Sequence, residues 1–121
     1  MFDWNEFKIL AEKLKDEKDE ASQRTSISRL YYAVYWKARL ILEREDPNLR
    51  VPEYNAHKFV WDKFSGNNKT RNAISRKGRD LRRNRNDADY EADIRKPKEL
   101  VNDSFQIAEH ILFYLNQIQP K

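Results

Sequence analysis

The stretch from Ala21 to Glu45, ASQRTSISRLYYAVYWKARLILERE, decides how the rest of the chain is read. Ile27, Leu30, Tyr31, Val34, Ala38, Ile41 and Leu42 recur at three- and four-residue spacing, so they share one face of a long helix. Tyr32, Tyr35, Trp36 and Leu40 form a second apolar stripe beside the first. Together the two stripes expose more apolar surface than a single core contact needs. Two arrangements would cover it: a partner subunit packed on one side, or full enclosure within a monomer. Asp46-Pro47 ends this central helix, and Pro52 keeps the following loop extended.

Four further helices are expected around it. Asp3-Trp4-Asn5-Glu6 has capping-box spacing, with Asp in place of Ser or Thr, ahead of Phe7, Leu10, Ala11 and Leu14 on one face. The charged stretch Lys15 to Glu20 carries that helix into solvent or ends it. Asn55 is placed to cap a short helix through about Phe64, with Ala56, Phe59, Val60 and Phe64 inward. Ser65-Gly66-Asn67-Asn68 reads as a turn. A helix from Lys69 to about Asp87 offers only Ala73, Ile74, Leu81 and Ala88 as apolar contacts. It is the least amphipathic stretch, and Gly78 in its middle is either a break or a close-packing point. Pro97 fits the first turn of a last helix, with Val101, Phe105, Ala108, Leu112 and Leu115 inward and Ile107, Ile111 and Ile118 adjoining. Five helices with short loops predict an all-α antiparallel bundle.

Composition agrees with this. The 121 residues suffice for one domain with one core, and no repeat or linker divides residues 1–121. Mean hydropathy is low, at −1.03. Yet 6 Phe, 6 Tyr and 3 Trp are too many for a disordered segment, and 2 Gly and 4 Pro are too few for a barrel or sandwich of tight turns. The absence of Cys excludes disulfides and thiolate metal sites and fits a reducing cytoplasm. The N-terminal residues carry neither a basic nor an apolar signal region, and no apolar run reaches membrane-spanning length, so a cytoplasmic protein without membrane contact is expected.

Charge is unevenly placed. Lys69, Arg71, Arg76, Lys77, Arg79, Arg82, Arg83 and Arg85 are opposed between them by Asp80 alone. The whole chain carries only +4, so the remainder is mildly acidic. A concentrated, Arg-rich patch suits bidentate contact with phosphates, and RNA or DNA is the commonest polyanion of that kind. The alternative is a solvated helix face balanced by neighbouring acids. Arg76, Arg79, Arg82, Arg83 and Asn84 are the candidate nucleic-acid contacts.

Other chemistry finds little support. His57 and His110 belong to no spaced ligand motif, and His110 falls on a polar face. Asp87, Asp89, Glu91 and Asp93 alternate and could hold a hard cation in an extended chain, or else neutralise the arginines. Neither a Gly-rich phosphate loop nor a nucleophile motif is present, and no cofactor or metal is expected.

Several segments in order resemble the HEPN superfamily, small helical-bundle proteins of prokaryotic toxin–antitoxin and defence systems. Arg29-Leu30-Tyr31-Tyr32-Ala33, followed by Trp36, Ala38, Arg39, Leu40 and Leu42, is similar to the family's central helix. His57-Lys58 with Phe64 downstream is similar to its next segment, and Arg85, Ala88, Asp89 and Tyr90 match the "R..aDY" signature of one subgroup. Ala108 stands where the last helix usually carries a small residue.

The resemblance implies a homodimer with two motifs facing one cleft, RNA or nucleotide as ligand, and a nucleotidyltransferase antitoxin as a possible partner. HEPN ribonucleases work without metal: the RNA 2′-OH attacks the adjacent phosphate, His accepts the proton, and Arg stabilises the phosphoryl oxygens. Arg83 and Asn84 match the first motif positions and Tyr90 the last, but Ala88 holds the His position. Losing a general base costs on the order of 10²–10⁴ in rate, which implies weak or lost cleavage. A rearranged catalytic site would use Arg83, Arg85, Asp89 and Tyr90, with His57 as an auxiliary from the third helix or as a structural hydrogen-bonding residue near the start of that helix. Tyr90 would contact a base or phosphate, serve as a modification point, or pack with its hydroxyl on a backbone carbonyl. Arg83 and Arg85 would alternatively form ion pairs with Asp87, Asp89 or Asp93. A non-enzymatic module that dimerises and recruits a partner is the remaining reading.

Overall fold

The structure is a computed structural model describing residues 1–66 and 68–119, and these form five α-helices with no strand among the described residues. The helices are α1 (Asn5–Leu14), α2 (Glu20–Glu45), α3 (Ala56–Lys63), α4 (Lys69–Tyr90) and α5 (Pro97–Ile118). The expected all-α bundle is therefore the observed fold. No helix of the described residues is long and apolar enough to cross a membrane.

α2 is central because it touches every other helix. Its expected stripe is buried throughout, from Ile27 to Leu42, and Asp19 caps its start by accepting a hydrogen bond from the Ser22 N–H at 2.9 Å. The second stripe is largely covered by the chain itself. Tyr35 is buried beside Trp61 of α3, and Trp36 stacks on Trp4 ahead of α1 with ring centroids 4.7 Å apart. Ser26 Oγ donates to the Ala11 carbonyl at 2.7 Å, tying α1 to α2.

Helix boundaries differ from expectation in three places. The Asp3 carboxylate accepts from the Asn5 N–H rather than from Glu6, so Trp4 stands at the N-cap of α1 and no capping box forms. Asn55 occupies the N-cap of α3 in the left-handed region (φ 60°), a conformation Asn tolerates, and caps no N–H with its side chain. α4 runs on to Tyr90 instead of ending at Asp87, so Asp87 and Asp89 lie on its last turns rather than in an extended chain. Residue 67 of the expected Ser65–Asn68 turn lies outside the described residues; Asn68 caps α4 by accepting from the Arg71 N–H at 3.0 Å.

The end of α4 is held by an arginine of α2. Arg24, braced by Glu20 at 2.8 Å, donates to the carbonyls of Ala88 (3.2 Å), Glu91 (2.5 Å) and Ala92 (3.1 Å). These carbonyls have no partner within the helix, and the guanidinium also complements the negative end of its dipole.

The four apolar contacts expected of α4, Ala73, Ile74, Leu81 and Ala88, are all buried, and Ser75, Gly78 and Arg85 are buried with them. Gly78 is the close-packing point and not a break. A Cβ built there would lie 2.1 Å from Trp61 Cε3, and Trp61 itself is fully buried. The missing side chain is what lets α3 lie against α4.

Candidate functional site

Two groups of residues meet where α2, α3 and α4 come together. The first is a network around His57. Trp61 Nε1–H donates to Tyr31 Oη at 3.0 Å, and Tyr31 Oη lies 2.7 Å from His57 Nδ1. The Tyr31 hydroxyl has one proton and no other acceptor among the described residues, so it donates to Nδ1. His57 is then the neutral tautomer with its proton on Nε2. Its ring lies against Tyr35, with centroids 4.3 Å apart. Burial is the first cause that pushes the His57 pKa down, to about 4, and Arg82, Arg85 and Arg39 add to it. Burial likewise raises the Tyr31 hydroxyl well above its ordinary range.

His57, in the first turn of α3, thus has the expected structural hydrogen bond, made across to Tyr31 of α2. With Nδ1 engaged by the Tyr31 hydroxyl and its pKa pushed down to about 4, the ring is a weak proton acceptor.

A pH dependence follows. The folded His57 stays neutral down to about pH 4, whereas the unfolded chain takes up the proton near 6.5. The unfolded state therefore binds more protons between these values, so the contribution to stability is complete above pH 6.5 and is lost as pH falls towards 4. Allowing for solvent screening of a half-buried ring, this contribution is on the order of 1–2 kcal/mol. Urea unfolding of wild type and His57→Gln between pH 4 and 7 measures it: the wild type should lose stability more steeply as pH falls, and parallel curves would contradict this.

Arg85 is the buried neighbour of the network. Its side chain is only 7% exposed, with Nη2 donating to Tyr32 Oη at 3.1 Å and Nη1 lying 3.8 Å from Asp89 Oδ2. Its guanidinium is 5.4 Å from the Tyr31 ring, 5.1 Å from Tyr32 and 6.0 Å from Tyr90. Asp89 also accepts from Ser28 Oγ at 3.2 Å. The expected ion pair with Asp89 is thus present, but on a buried arginine. Tyr90 is 76% exposed, which leaves no support for a packed tyrosine.

The second group lines an open groove of about 550 Å³ between α3 and α4. Lys58, Arg79, Arg82 and Arg83 face it, with Asp62 the one carboxylate among them and Asn86 at the same wall. Asp62 pairs with Lys58 at 2.6 Å and Arg79 at 2.5 Å, and these two contacts lower its pKa, the Lys58 bond most. Arg83 is exposed and lies 3.5 Å from Asp80, not from Asp87, Asp89 or Asp93. Arg82 has no carboxylate within ion-pair distance among the described residues.

The sequence-expected residues therefore separate. Arg79, Arg82 and Arg83 share the groove; His57 and Arg85 meet Tyr31 and Tyr32, with Asp89 and Tyr90 beside Arg85. Arg76 is exposed a turn before Arg79. Asn84 is not with Arg83 at all: its amide donates to Asp103 (2.9 Å) and Ser104 (3.1 Å) on α5. Ala88, at the position matching the motif His, is buried in a small cluster with Ile27 and Val101. No group of residues fit to hold a metal ion occurs among the described residues.

Sequence reading missed Trp61 and Arg39. Trp61 follows the inward Val60 on α3, and the lone helical glycine stands on the next helix; a bulky ring ahead of a missing side chain was the available signal. Arg39, whose Nη1 donates to Tyr35 Oη at 3.3 Å, gave no signal of its own. No protein-family model, curated protein or solved structure matches the chain.

Proposed function

We propose that this protein is a HEPN-like, RNA- or nucleotide-binding component of a prokaryotic toxin–antitoxin or defence module, acting in the cytoplasm as a homodimer. The observation that carries the binding role is the α3–α4 groove, lined by Lys58, Arg79, Arg82 and Arg83 with Asp62 as the one carboxylate in its lining. A groove with four cations in its lining and one carboxylate suits a polyanion such as a single strand of RNA. Exposed Tyr90 adds an aromatic face on which a base can stack.

Binding without efficient cleavage is the favoured form. Position 88 is buried among apolar residues, so even a His there would have to leave the core to reach a ribose. His57 has Nδ1 engaged with the Tyr31 hydroxyl and its pKa pushed down to about 4, which makes it a weak base. Asp89, beside Arg85, is the remaining candidate base for the alternative, an active endoribonuclease with a rearranged site.

Anisotropy with a labelled single-stranded RNA in EDTA, followed by gel analysis of the same RNA, tests both forms. The expected result is intact RNA, bound by wild type and bound roughly 3–10-fold more weakly by Arg82→Ala and by Arg83→Ala. Affinity unchanged in both variants overturns the groove. Cleavage in EDTA that vanishes in Arg85→Ala replaces the binding role with the enzymatic one.

The exposed hydroxyl of Tyr90 favours a second reading compatible with the first. As a residue 76% exposed beside a buried guanidinium, it is the accessible modification point for a nucleotidyltransferase partner.

A further inference from the structure

Tyr32, Tyr35 and Trp36 of the second α2 stripe pack into the core, but half-buried Leu40 does not. It lines a space left by the neighbouring helices. α1 and α5 both pack on α2, and among the described residues their backbones do not approach each other. At one end the gap between them is bridged by Lys98 of α5, which donates to the Lys15 carbonyl at 2.8 Å. At the other end it stays open as a cavity of about 520 Å³, lined by Val34 and Leu40 of α2, Leu112 of α5 and Trp4 ahead of α1. Trp4 is a fixed wall, because it stacks on Trp36 with centroids 4.7 Å apart and meets Phe7 edge-on at 5.4 Å.

The charged lining is cationic on balance. Lys8 and Lys37 line the cavity, with Asp3 the one carboxylate beside them. The Asp3 carboxylate accepts from the Asn5 N–H at 3.0 Å, and Lys8 pairs with Glu12 at 3.4 Å. Lys37 has no carboxylate within ion-pair distance among the described residues; its ammonium donates to Asn116 Oδ1 at 3.1 Å. That bond holds the ammonium between α2 and α5 and leaves two of its three N–H groups for a ligand. Burial is the first cause that pulls the Lys37 pKa below its ordinary value, and the charge of Lys8 adds to it. An anion in the cavity would favour the charged form again.

We propose that this cavity binds a small organic acid, a carboxylate on an apolar body, with Lys37 as the residue that holds the anion. Its volume falls within the range of about 300–1,000 Å³ usual for small-molecule sites, and an apolar lining with a few placed polar groups is their usual makeup. Covering Leu40 alone would ask only for apolar surface; the unpaired ammonium in the same lining asks for an anion as well. The carboxylate meets Lys37 beside Asn116, Lys8 adds a second positive charge, and the apolar body covers Leu40, Leu112 and Trp4. The site shares no lining residue with the α3–α4 groove, so it stands apart from the nucleic-acid reading.

The experiment is an NMR titration of the full chain with octanoate, beside octan-1-ol as its uncharged counterpart, following the Trp4 indole N–H and the methyl groups of Leu40 and Leu112. Wild type is expected to saturate with octanoate, these signals sharing one Kd on the order of 1 mM or below, and to bind octan-1-ol roughly 5–10-fold more weakly. Lys37→Gln, with its amide spectrum retained, should lose this preference for the anion and bind octan-1-ol as wild type does. Lys8→Gln, on another helix, should lose part of the preference, and it supplies the same test if Lys37→Gln does not fold. Silence of all three groups of signals towards octanoate overturns the site. Octan-1-ol bound as tightly as octanoate, or octanoate bound equally well by both lysine variants, overturns the anionic ligand. Movement of the same signals on concentrating the protein alone, with octanoate without effect, overturns the proposal in favour of a contact between copies of the chain.

Discussion

Gly78→Ala is expected to lower the unfolding free energy by about 3 kcal/mol, although alanine is the better helix former by about 1 kcal/mol. The added Cβ would lie 2.1, 2.3 and 2.5 Å from three atoms of the Trp61 indole. These are ring atoms with no flexible end to swing away. Trp61 is fully buried, and its Nε1–H is held by Tyr31 Oη at 3.0 Å, so the ring cannot shift without losing that bond. Overpacking of this kind typically costs 1–3 kcal/mol and more where neighbours are rigid, which outweighs the propensity gain. Urea unfolding should show the midpoint falling by on the order of 1–2 M at unchanged slope. Placing Gly78→Ala in a Trp61→Phe background should recover part of the loss, since the smaller ring frees room beside α4. A Gly78→Ala variant as stable as wild type would contradict the close approach of α3 to α4.

Tyr31→Phe removes one oxygen and is expected to cost on the order of 2–3 kcal/mol. That oxygen accepts from the buried Trp61 Nε1–H and donates to His57 Nδ1. Its loss leaves an indole N–H without a partner in a dry core, the expensive case for hydrogen bonds. Removing both partners is cheaper than removing one, so Tyr31→Phe should cost markedly less in a Trp61→Phe background. The same substitution frees Nδ1 of His57, and nitrogen chemical shifts should then report a mixture of tautomers in place of a single Nε2–H form. An additive double mutant, or an unchanged tautomer, would contradict the relay from Trp61 through Tyr31 to His57.

The bundle was legible because its information is local and periodic. The apolar spacing of α2 and α5, the proline at the start of α5 and the turn residues between helices each follow from short-range chemistry. Gly78 was readable only as a pair of alternatives, because a glycine in a helix says that something is close without saying what. The site was less legible. Arg85 and Arg83 look equivalent in a run of basic residues, yet two positions along a helix turn one into the core and the other into solvent. The four apolar contacts of α4 were legible, but Ser75 and Arg85, which share the buried face with them, were not. Asn84 follows Arg83 directly but points to α5, as neighbours on a helix do not share a face. The meeting of Tyr31, His57 and Trp61 depends on a tertiary contact between α2 and α3, which no single segment encodes.

The most direct measurement is the salt dependence of single-stranded RNA binding for wild type and Arg83→Ala. Each phosphate neutralised contributes about −0.7 to the slope of log affinity against log salt for a single strand. Three to four contacts along the α3–α4 groove give an expected slope of roughly −2 to −3, made shallower by about 0.7 in Arg83→Ala. A slope near zero, or one that Arg83→Ala leaves unchanged, would mean that the basic wall of the groove does not hold RNA.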